Sequence, residues 1–320
     1  MSKPGNDGGA GTDEDPVSPP DPATADPEPA TAAGKRPSET PARQRHRRFV
    51  DTVGQLLGLL DEAGETVPPE RQASLLRGAW DERRQQTLLT IAGLARRALV
   101  GRVGEGRPSP MWLDRFLASA ADAHDPAVQT IYARMLATET LRPGTVSLAA
   151  LLHMRTMDAQ ELTRFTKLAQ FAIGNFVVRL KDSFYEKYGL DGEDLFYFEE
   201  CRLLRSGGSN VKQFPSQIED RFQTHLLLAD RVLRVTAAEP ERKLVLPCYR
   251  LTAAGTDIAE AMALPVVNEY ITQLVELLEK RGYTVAHASI VERGDRNTVA
   301  RHSRFSEVVS FSQFRGKRRR

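Results

Sequence analysis

The chain has 320 residues, of which 27% are charged and 41% hydrophobic, and its 44 Lys and Arg against 42 Asp and Glu give a formal net charge of +2. No apolar run approaches the roughly 18 residues that a membrane span needs, and the first residues lack the charged-then-apolar order of a signal peptide. Two cysteines are too few for a disulfide framework, so the composition predicts a cytoplasmic protein with no membrane span.

The charges are unevenly distributed along the chain. Residues 1–34 carry seven acids and one base, residues 35–48 six bases and one acid, and residues 291–320 nine bases and three acids. Subtracting these segments from the total leaves a net charge of −3 for residues 49–290. We therefore expect a slightly acidic folded region with basic margins.

The first segment, residues 1–44, holds nine of the 19 prolines and only Val17 among branched aliphatic and aromatic residues. Such a composition buries too little apolar surface to offset the entropy of ordering the chain. It predicts a disordered acidic tail.

Residues 45–188 are predicted to form an α-helical domain of helices joined by short loops. A first helix is expected at about 46–62, and a second from Pro69 to about Val100. Further along, apolar residues recur with a period near 3.6 from Leu162 to Leu180, which predicts one continuous helix there.

Three short polar residues in this region have the character of helix N-caps. They are Asp125 before Pro126, Ser147 before a Leu- and Ala-rich run, and Asp158. Each marks the predicted start of a helix.

Residues 189–292 are predicted to form a small α+β module. The stretches HLLLADRVLRVTA and KLVLPCYRLT are typical of strands, and YTVAHASIVER is predicted to be an edge strand. A helix, strands separated by a charged stretch, and a strand-to-helix junction at YRLT indicate a winged-helix-like order. The predicted fold class is therefore mainly α, a helical bundle followed by this module, with a basic C-terminal tail over residues 293–320.

The sequence offers no recognisable catalytic or metal centre. The six histidines lie apart, with no H-x-x-x-H pairing, and Cys201 and Cys248 belong to no C-x-x-C motif. The glycines of residues 101–107 follow a helix and precede prolines, which favours a linker over a phosphate-binding loop. We expect a non-enzymatic protein without metal or cofactor; the alternative, a hydrolase, would need a cleft that gathers Glu139, Gln129 or His153 with other polar groups.

Clustered cations at the two margins are candidates for salt-dependent, sequence-independent contact with nucleic acid. Two more candidates, Arg242 and Lys243, lie between the predicted strands. The full set is Arg43, Arg45, Arg47, Arg48, Arg242, Lys243, Arg315, Lys317, Arg318, Arg319 and Arg320. A solubilising tail is the alternative for the terminal cluster.

The helix that would read DNA in a winged-helix module is here acidic and aromatic. Residues 194–204 include Glu199 and Glu200, which would repel phosphate, and only Arg202 within this stretch could attract it. Protein packing and DNA binding therefore both remain open for this module.

Several spaced blocks between about residues 110 and 260 resemble a bacterial family of domain-of-unknown-function proteins. The blocks have the patterns W-x-x-x-F, Q-x-x-[WY]-A-x-x-L-A-x-E, P-G-x-x-S and Y-x-L-T-x-x-G. The residues that carry the first three are Trp112, Phe116, Gln129, Ala133, Leu136, Glu139, Pro143, Gly144 and Ser147, and the last runs from Tyr249 to Gly255.

This sequence departs from the pattern at two positions. Tyr132 stands where the family tends to have Trp, and Arg202 where it tends to have Gly, which predicts that the helix before Arg202 does not end in the usual glycine turn. The matching residues are expected to pack helices and cap a turn, although Gln129 and Glu139 leave open either buried polar contacts or a ligand site.

The resemblance implies no assigned reaction. The hypothesis that follows is a non-catalytic bacterial interaction or regulatory protein with a protein partner, and nucleic acid as a possible second partner. Similar domains occur in proteins thought to act in mobile elements or abortive infection. The alternative is therefore a sensor or effector of anti-phage defence that acts through protein contacts.

Overall fold

The computed structural model describes residues 41–56, 59–60, 64–102, 104, 106–207, 210–293 and 299–307. The chain divides into two compact units, Met1–Pro68 and Pro69–Arg320. The acidic tail predicted for residues 1–44 lies outside the described residues except for its last four, which belong to the first helix.

Helices occupy most of the described chain before residue 170 and recur among the strands after it. They are α1 (Pro41–Leu56) in the first unit and, in the second, α2 (Pro69–Leu99), α3 (Pro110–Ala120), α4 (Pro126–Leu141), α5 (Leu148–Thr156), α6 (Ala159–Ala169), α7 (Asp182–Glu186), α8 (Gly192–Glu200), α9 (Ala253–Met262) and α10 (Asn268–Lys280). None of these helices combines the length and apolar composition that crossing a membrane requires.

The strands of the described chain form two antiparallel sheets, both in the second unit. They are β1 (Phe176–Val178), β2 (Val211–Phe214), β3 (Phe222–Leu227), β4 (Arg231–Ala237), β5 (Leu244–Arg250), β6 (Thr284–Arg293), β7 (Val299–His302) and β8 (Ser306–Glu307). The small sheet has the order β1-β5-β2, and the large sheet the order β3-β4-β6-β7 with β8 paired to β6. The fold is thus mixed α+β, with more strand than the sequence indicated.

The first two helices follow the sequence pattern with shifted ends. Helix α1 begins before the predicted start near residue 46 and ends at Leu56 rather than near residue 62. The Gly54 carbonyl accepts hydrogen bonds from the amides of Leu59 and Leu60, at 2.7 and 3.2 Å, which turns the chain away from the helix axis. Helix α2 spans Pro69–Leu99, as predicted.

The three predicted N-caps are confirmed. The Asp125 side chain accepts from the Ala127 amide at 2.7 Å, and that of Ser147 from the Ala150 amide at 3.2 Å. Asp158 forms a reciprocal capping box with Glu161. Local side-chain chemistry therefore sets the starts of α4, α5 and α6.

The prediction of one helix from Leu162 to Leu180 is wrong. Helix α6 ends at Ala169, and a turn at Gly174, with φ +56°, leads into β1. All three β1 residues are buried, so the apolar run continues through the strand and mimics a helical period. Pairing with β5 decides the outcome because it satisfies the β1 backbone.

Two strand predictions also needed correction. The stretch HLLLADRVLRVTA forms the β3–β4 hairpin rather than a single strand, with a turn at Ala229 and Asp230. The predicted edge strand becomes β6, which lies inside the large sheet because β4 pairs on one side and β7 and β8 on the other. Residues 299–307, expected to belong to a basic tail, supply those outer strands.

The small sheet joins parts of the chain from both sides of residue 188, where the sequence suggested a domain boundary. Strand β1 precedes that point and pairs with β5, so that Val177 lies opposite Tyr249. One continuous apolar core also runs from Ile91 in α2 to Val285 in β6. The second unit therefore shares a single core.

Helix α9 is buried almost all round and packs against α4, α5 and α6. At its start, the Thr252 hydroxyl accepts from the Gly255 amide at 3.1 Å and donates to the Arg202 carbonyl at 2.7 Å. A Cβ at Gly255 would lie 2.2 Å from the Leu203 carbonyl oxygen. The Y-x-L-T-x-x-G block is therefore explained by a close backbone approach.

Arg202 adopts the left-handed conformation that the sequence argued against. Its φ is +56°, and the amides of Leu203 and Leu204 both donate to the Phe198 carbonyl at 2.9 Å. Helix α8 thus ends in the turn that normally takes glycine, although an arginine stands there. Formation of the turn outweighs the backbone strain, because Leu203 and Leu204 are buried beyond it.

Replacing Arg202 with Gly should stabilise the protein. Removing a side chain from the left-handed region is expected to raise the free energy of unfolding by roughly 1 kcal/mol. Arg205→Gly is the matched control, because Arg205 is also exposed but lies outside the left-handed region. It should lower stability, and urea titration of both variants would distinguish the two effects.

Replacing Gly255 with Ala should be severely destabilising, by roughly 3 kcal/mol or more, because the new methyl group would collide with rigid backbone. Gly93→Ala in α2 is the control, since a Cβ there has nothing within 4 Å and alanine favours the helix. Thermal unfolding should show a large fall in Tm for the first variant and none for the second. Equal Tm values for the Gly255→Ala and Gly93→Ala variants would contradict the close approach of residue 255 to the Leu203 carbonyl.

Candidate functional site

Three aromatic rings of the family-like blocks pack between α3 and α4. Trp112 and Phe116 stack with ring centroids 5.1 Å apart, and Phe116 meets Tyr132 edge-on at 5.8 Å. The Trp112 Nε1 donates to the Val146 carbonyl at 2.9 Å, and the Tyr132 hydroxyl to the Ser119 carbonyl at 3.1 Å. Tyrosine suits the position where the resemblance expects tryptophan, because its hydroxyl finds a backbone acceptor.

Glu139 is a buried carboxylate that holds the turn between α4 and α5. One carboxylate oxygen accepts from the Gly144 amide at 2.6 Å, and the other from the Val146 amide at 2.9 Å. Gly144 has a φ of +84° and Ser147 caps α5. The P-G-x-x-S turn is therefore built around charge-assisted hydrogen bonds to the backbone.

The other family-like residues also have structural contacts. The Gln129 side chain donates from Nε2 to the Ala123 carbonyl at 2.9 Å. Ala133 is buried in α4, a helix that packs against α2 and α9, and Leu136 is partly buried against the same core. Pro143 lies exposed in the turn. The motif thus specifies packing and a turn.

Helix α8 is tied to α6 by its inward polar side chains. Asp194 is buried and forms an ion pair with Arg164, while the Lys167 Nζ lies 3.7 Å from its second oxygen. The Tyr197 hydroxyl donates to Glu161, and this hydrogen bond, together with burial, raises the pKa of the tyrosine. These cations and carboxylates are directed at each other rather than at solvent.

The outward face of α8 carries Glu193, Phe196 and Glu200, at the spacing of one helical face. Phe196 is 72% exposed. No lysine or arginine lies between Gly192 and Glu200. This face is therefore acidic with an exposed aromatic centre.

The candidate nucleic-acid residues in α1 are exposed where they are described. Arg45, Arg47 and Arg48 all lie on the surface, and the Arg45 Nε donates to the Pro41 carbonyl at 3.3 Å. The Arg43 side chain lies outside the described residues, as do Arg315, Lys317, Arg318, Arg319 and Arg320.

Arg242 and Lys243 differ in their surroundings. The Arg242 guanidinium bonds Glu239 at 3.2 Å and the carbonyls of Arg281 and Gly282, and it lies 4.3 Å from the centre of the Tyr283 ring. Arg242 therefore links the residues that precede β5 to the C-terminal end of α10. Lys243, in contrast, is exposed.

A cation-rich aromatic cluster on the large sheet was not predicted. Around Phe305 lie the Arg234 guanidinium at 4.3 Å, the His302 ring at 4.6 Å and the His225 ring at 6.0 Å. His225 and Arg234 are direct partners in the β3–β4 register. Burial, Arg234 and His302 lower the pKa of His225. The sequence shows these residues alternating with apolar ones, but only the register brings them together.

A cleft in the second unit has a volume of about 980 Å³. Its walls come from the end of α4, the α6–β1 turn, β2, the end of β3 and the α9–α10 connection. The charged side chains that line it are Arg102, Arg134, Arg142, Lys212, Asp230, Asp257 and Glu260. This size suits an organic ligand, and the polar groups that could orient one come from five separate elements.

Two of the residues that line the cleft, Arg134 and Asp257, hold neighbouring elements together through hydrogen bonds to the backbone. Arg134 donates to the carbonyls of Ala261 and Met262, where it caps the C-terminus of α9. Asp257 accepts from the Ser147 amide at 2.8 Å, which joins α9 to the start of α5. Sequence spacing gave no sign of either contact, because more than 100 residues separate the partners.

A second cavity of about 270 Å³ is lined by His153, Tyr197, Cys201 and Arg202, among others. Burial and the Arg202 charge lower the pKa of His153. His153 shares this cavity with neither Gln129 nor Glu139, whose side chains bond the backbone elsewhere. Of the three residues named for the hydrolase hypothesis, His153 lines this cavity together with the polar side chains of Glu161 and Tyr197, whereas Gln129 and Glu139 do not. The described chain also holds no cluster of three His, Cys, Asp or Glu side chains suited to a metal ion.

Replacing Glu139 with Gln tests the turn. The amide retains the volume but loses the charge-assisted bonds and presents a donor to two backbone amides, so we expect a loss of roughly 2–3 kcal/mol of stability. Asp122→Asn, which breaks an exposed ion pair with Arg84, is the control and should change stability by less than about 1 kcal/mol. Chemical denaturation would measure both, and similar values would refute a special role for Glu139.

Comparison with known proteins identifies the family of this chain. The family described as "Protein of unknown function (DUF2806)" matches residues 77–275, which is more than half of the chain. No curated protein and no solved structure matches the chain significantly. The match includes every family-like block between Trp112 and Gly255. The chain therefore belongs to the DUF2806 family.

Proposed function

We propose that α6, β1, α7, α8, β2 and β5 form a winged-helix-like unit. Their order of helix, strand, two helices and two strands supports this interpretation, as does the sheet order β1-β5-β2. The unit would begin at α6, before the module start inferred at residue 189. The connection between β2 and β5, where a wing lies, carries the β3–β4 hairpin.

In this arrangement α8 is the second helix of the helix-turn-helix, the one that enters the major groove in DNA-binding versions. Its exposed Glu193, Phe196 and Glu200 favour a different use. Carboxylates facing phosphates would be repelled, and an exposed aromatic ring gains more from burial against a protein. We therefore assign the α8 face to a protein partner.

Nucleic-acid contact is instead assigned to the basic margins. In α1, Arg45 and Arg48 lie three positions apart and are exposed. Near the other end, Arg301 and Arg304 are exposed beside the Phe305 cluster. Such cations neutralise phosphates and release counterions without reading sequence.

The protein would accordingly be a non-catalytic, cytoplasmic regulatory protein of bacteria. It would hold nucleic acid electrostatically at its margins and present the α8 face to a protein. The observation that carries this proposal is the segregation of exposed charge, acidic on α8 and basic at the margins.

A titration of the full-length chain against random-sequence duplex at several salt concentrations tests this assignment. Replacing Arg318, Arg319 and Arg320 with Gln should weaken binding and reduce the salt slope by about 0.9 for each phosphate that the variant no longer neutralises. Glu193→Gln combined with Phe196→Ala on α8 is the matched variant. It should leave both the affinity and the slope unchanged.

Two outcomes would overturn the proposal. Absence of binding near about 50 mM salt would remove the nucleic-acid function, since non-specific affinity is strongest at low salt. A fall in affinity for the α8 variant, with none for the arginine variant, would show that α8 contacts DNA after all.

A further inference from the structure

Lys212 lies in an unusual setting on the wall of the large cleft. It extends from β2, and its ammonium donates to the Asn175 side-chain oxygen at 2.8 Å. The same ammonium lies 5.1 Å from the centre of the Phe176 ring and 5.8 Å from that of Phe214. The lysine is half-buried, with two aromatic rings and one amide around its charge.

A second cation, Arg250 on β5, lies directly opposite Phe176 in the β1–β5 register. Burial lowers the pKa of Lys212, and the positive charge of Arg250 on β5 lowers it further. The Arg250 Nε is itself buried and makes no hydrogen bond. Two partly buried cations are thus associated with Phe176, Lys212 through the aromatic ring and Arg250 through the strand register.

No carboxylate of the described chain forms an ion pair with either cation. The remaining ionisable neighbour is the buried Cys248 thiol, whose pKa is raised by burial, so that it stays neutral. Desolvated cations without a counter-charge destabilise a fold, and natural proteins normally pair them. Arg164 and Lys167 follow that rule, because both face the buried Asp194.

An anion in the cleft would supply the missing charge. Asn175 lines the same cleft, and because its side-chain oxygen accepts from Lys212, its amide nitrogen remains as a donor. A phosphate monoester carries a charge of about −1.5 to −2 near neutral pH, which matches the two cations. The cleft of about 980 Å³ leaves room for an organic group beside the half-buried Phe214 ring.

We propose that this cleft binds a small organic phosphate of about nucleotide size, with the phosphate held by Lys212 and Asn175 in the field of Arg250. This site is separate from the basic margins and from the α8 face, so it goes beyond the proposed function. Sequence-independent nucleic-acid binding can fail without affecting it.

Trace acetylation by acetic anhydride, followed by peptide mass mapping, reads the site directly. The lysine nitrogen attacks the anhydride carbonyl, acetate leaves and the amine loses a proton, so a bound anion that keeps Lys212 protonated slows the reaction. Millimolar phenyl phosphate, the simplest aromatic monoester, should slow acetylation of Lys212 several-fold. It should not slow that of the exposed Lys243, and phenol should slow neither.

The remaining outcomes of this experiment count against the proposal. Unchanged acetylation of Lys212 in phenyl phosphate, or equal slowing at Lys243, would overturn the site. Equal protection by inorganic phosphate at the same concentration would overturn the organic part of the proposal, because the cleft would then contribute nothing.

Thermal unfolding provides the second measurement. Lys212→Met keeps an apolar chain against Phe176 and Phe214 but removes the charge, so its Tm should equal or exceed that of the wild type. Phenyl phosphate should raise the Tm of the wild type and of Lys243→Met, but not that of Lys212→Met. A large fall in Tm for Lys212→Met without ligand would make Lys212 a structural residue and refute the proposal.

Discussion

Strand β5 is the constraint on which the second unit depends. It lies between β1 and β2, so the small sheet exists only when residues far apart in the chain meet on its two edges. Beyond β5, Leu251 bridges to Leu204, and the Thr252 amide donates to the Leu203 carbonyl at 3.0 Å. The strand therefore fixes the end of α8 and the start of the buried helix α9 together. Gly255 stands where these two backbones come closest, which leaves no space for a side chain.

Buried carboxylates complete the polar framework by bonding the backbone. Glu139 holds the α4–α5 turn from within, and Asp257 reaches the same region from α9 through the Ser147 amide. Carboxylates used in this way accept hydrogen bonds from backbone amides and so satisfy buried donors of the turn. The family-like blocks, which lie within the DUF2806 match, thus contribute residues that shape the core.

Local chemistry was readable from the sequence, whereas long-range pairing was not. The caps at Asp125, Ser147 and Asp158 depend on residues within three positions, and all three were predicted correctly. The apolar run from Leu162 to Leu180 has the same period in a helix or in a helix followed by a buried strand, and pairing with β5 decides between them. Arg202 was misjudged because strain at one residue is small beside the burial of Leu203 and Leu204. The sequence does not predict the cleft, because its walls come from α4, β2, β3 and the α9–α10 connection, which are far apart in the chain.

The buried and half-buried cations of the described chain fall into two groups, those that form ion pairs with carboxylates and those that do not. Around α8, the α6 cations Arg164 and Lys167 share one buried carboxylate, that of Asp194, whereas the outer face of α8 is acidic. Lys212 on the cleft wall and Arg250 on β5 form no ion pair in the described chain, and the Lys212 ammonium lies instead against the Phe176 and Phe214 rings. Desolvated cations without a counter-charge lower the stability of the fold. A bound anionic ligand would offset this loss of stability. For this reason the cleft, rather than the family motif, is where a small-molecule function of this protein should be sought.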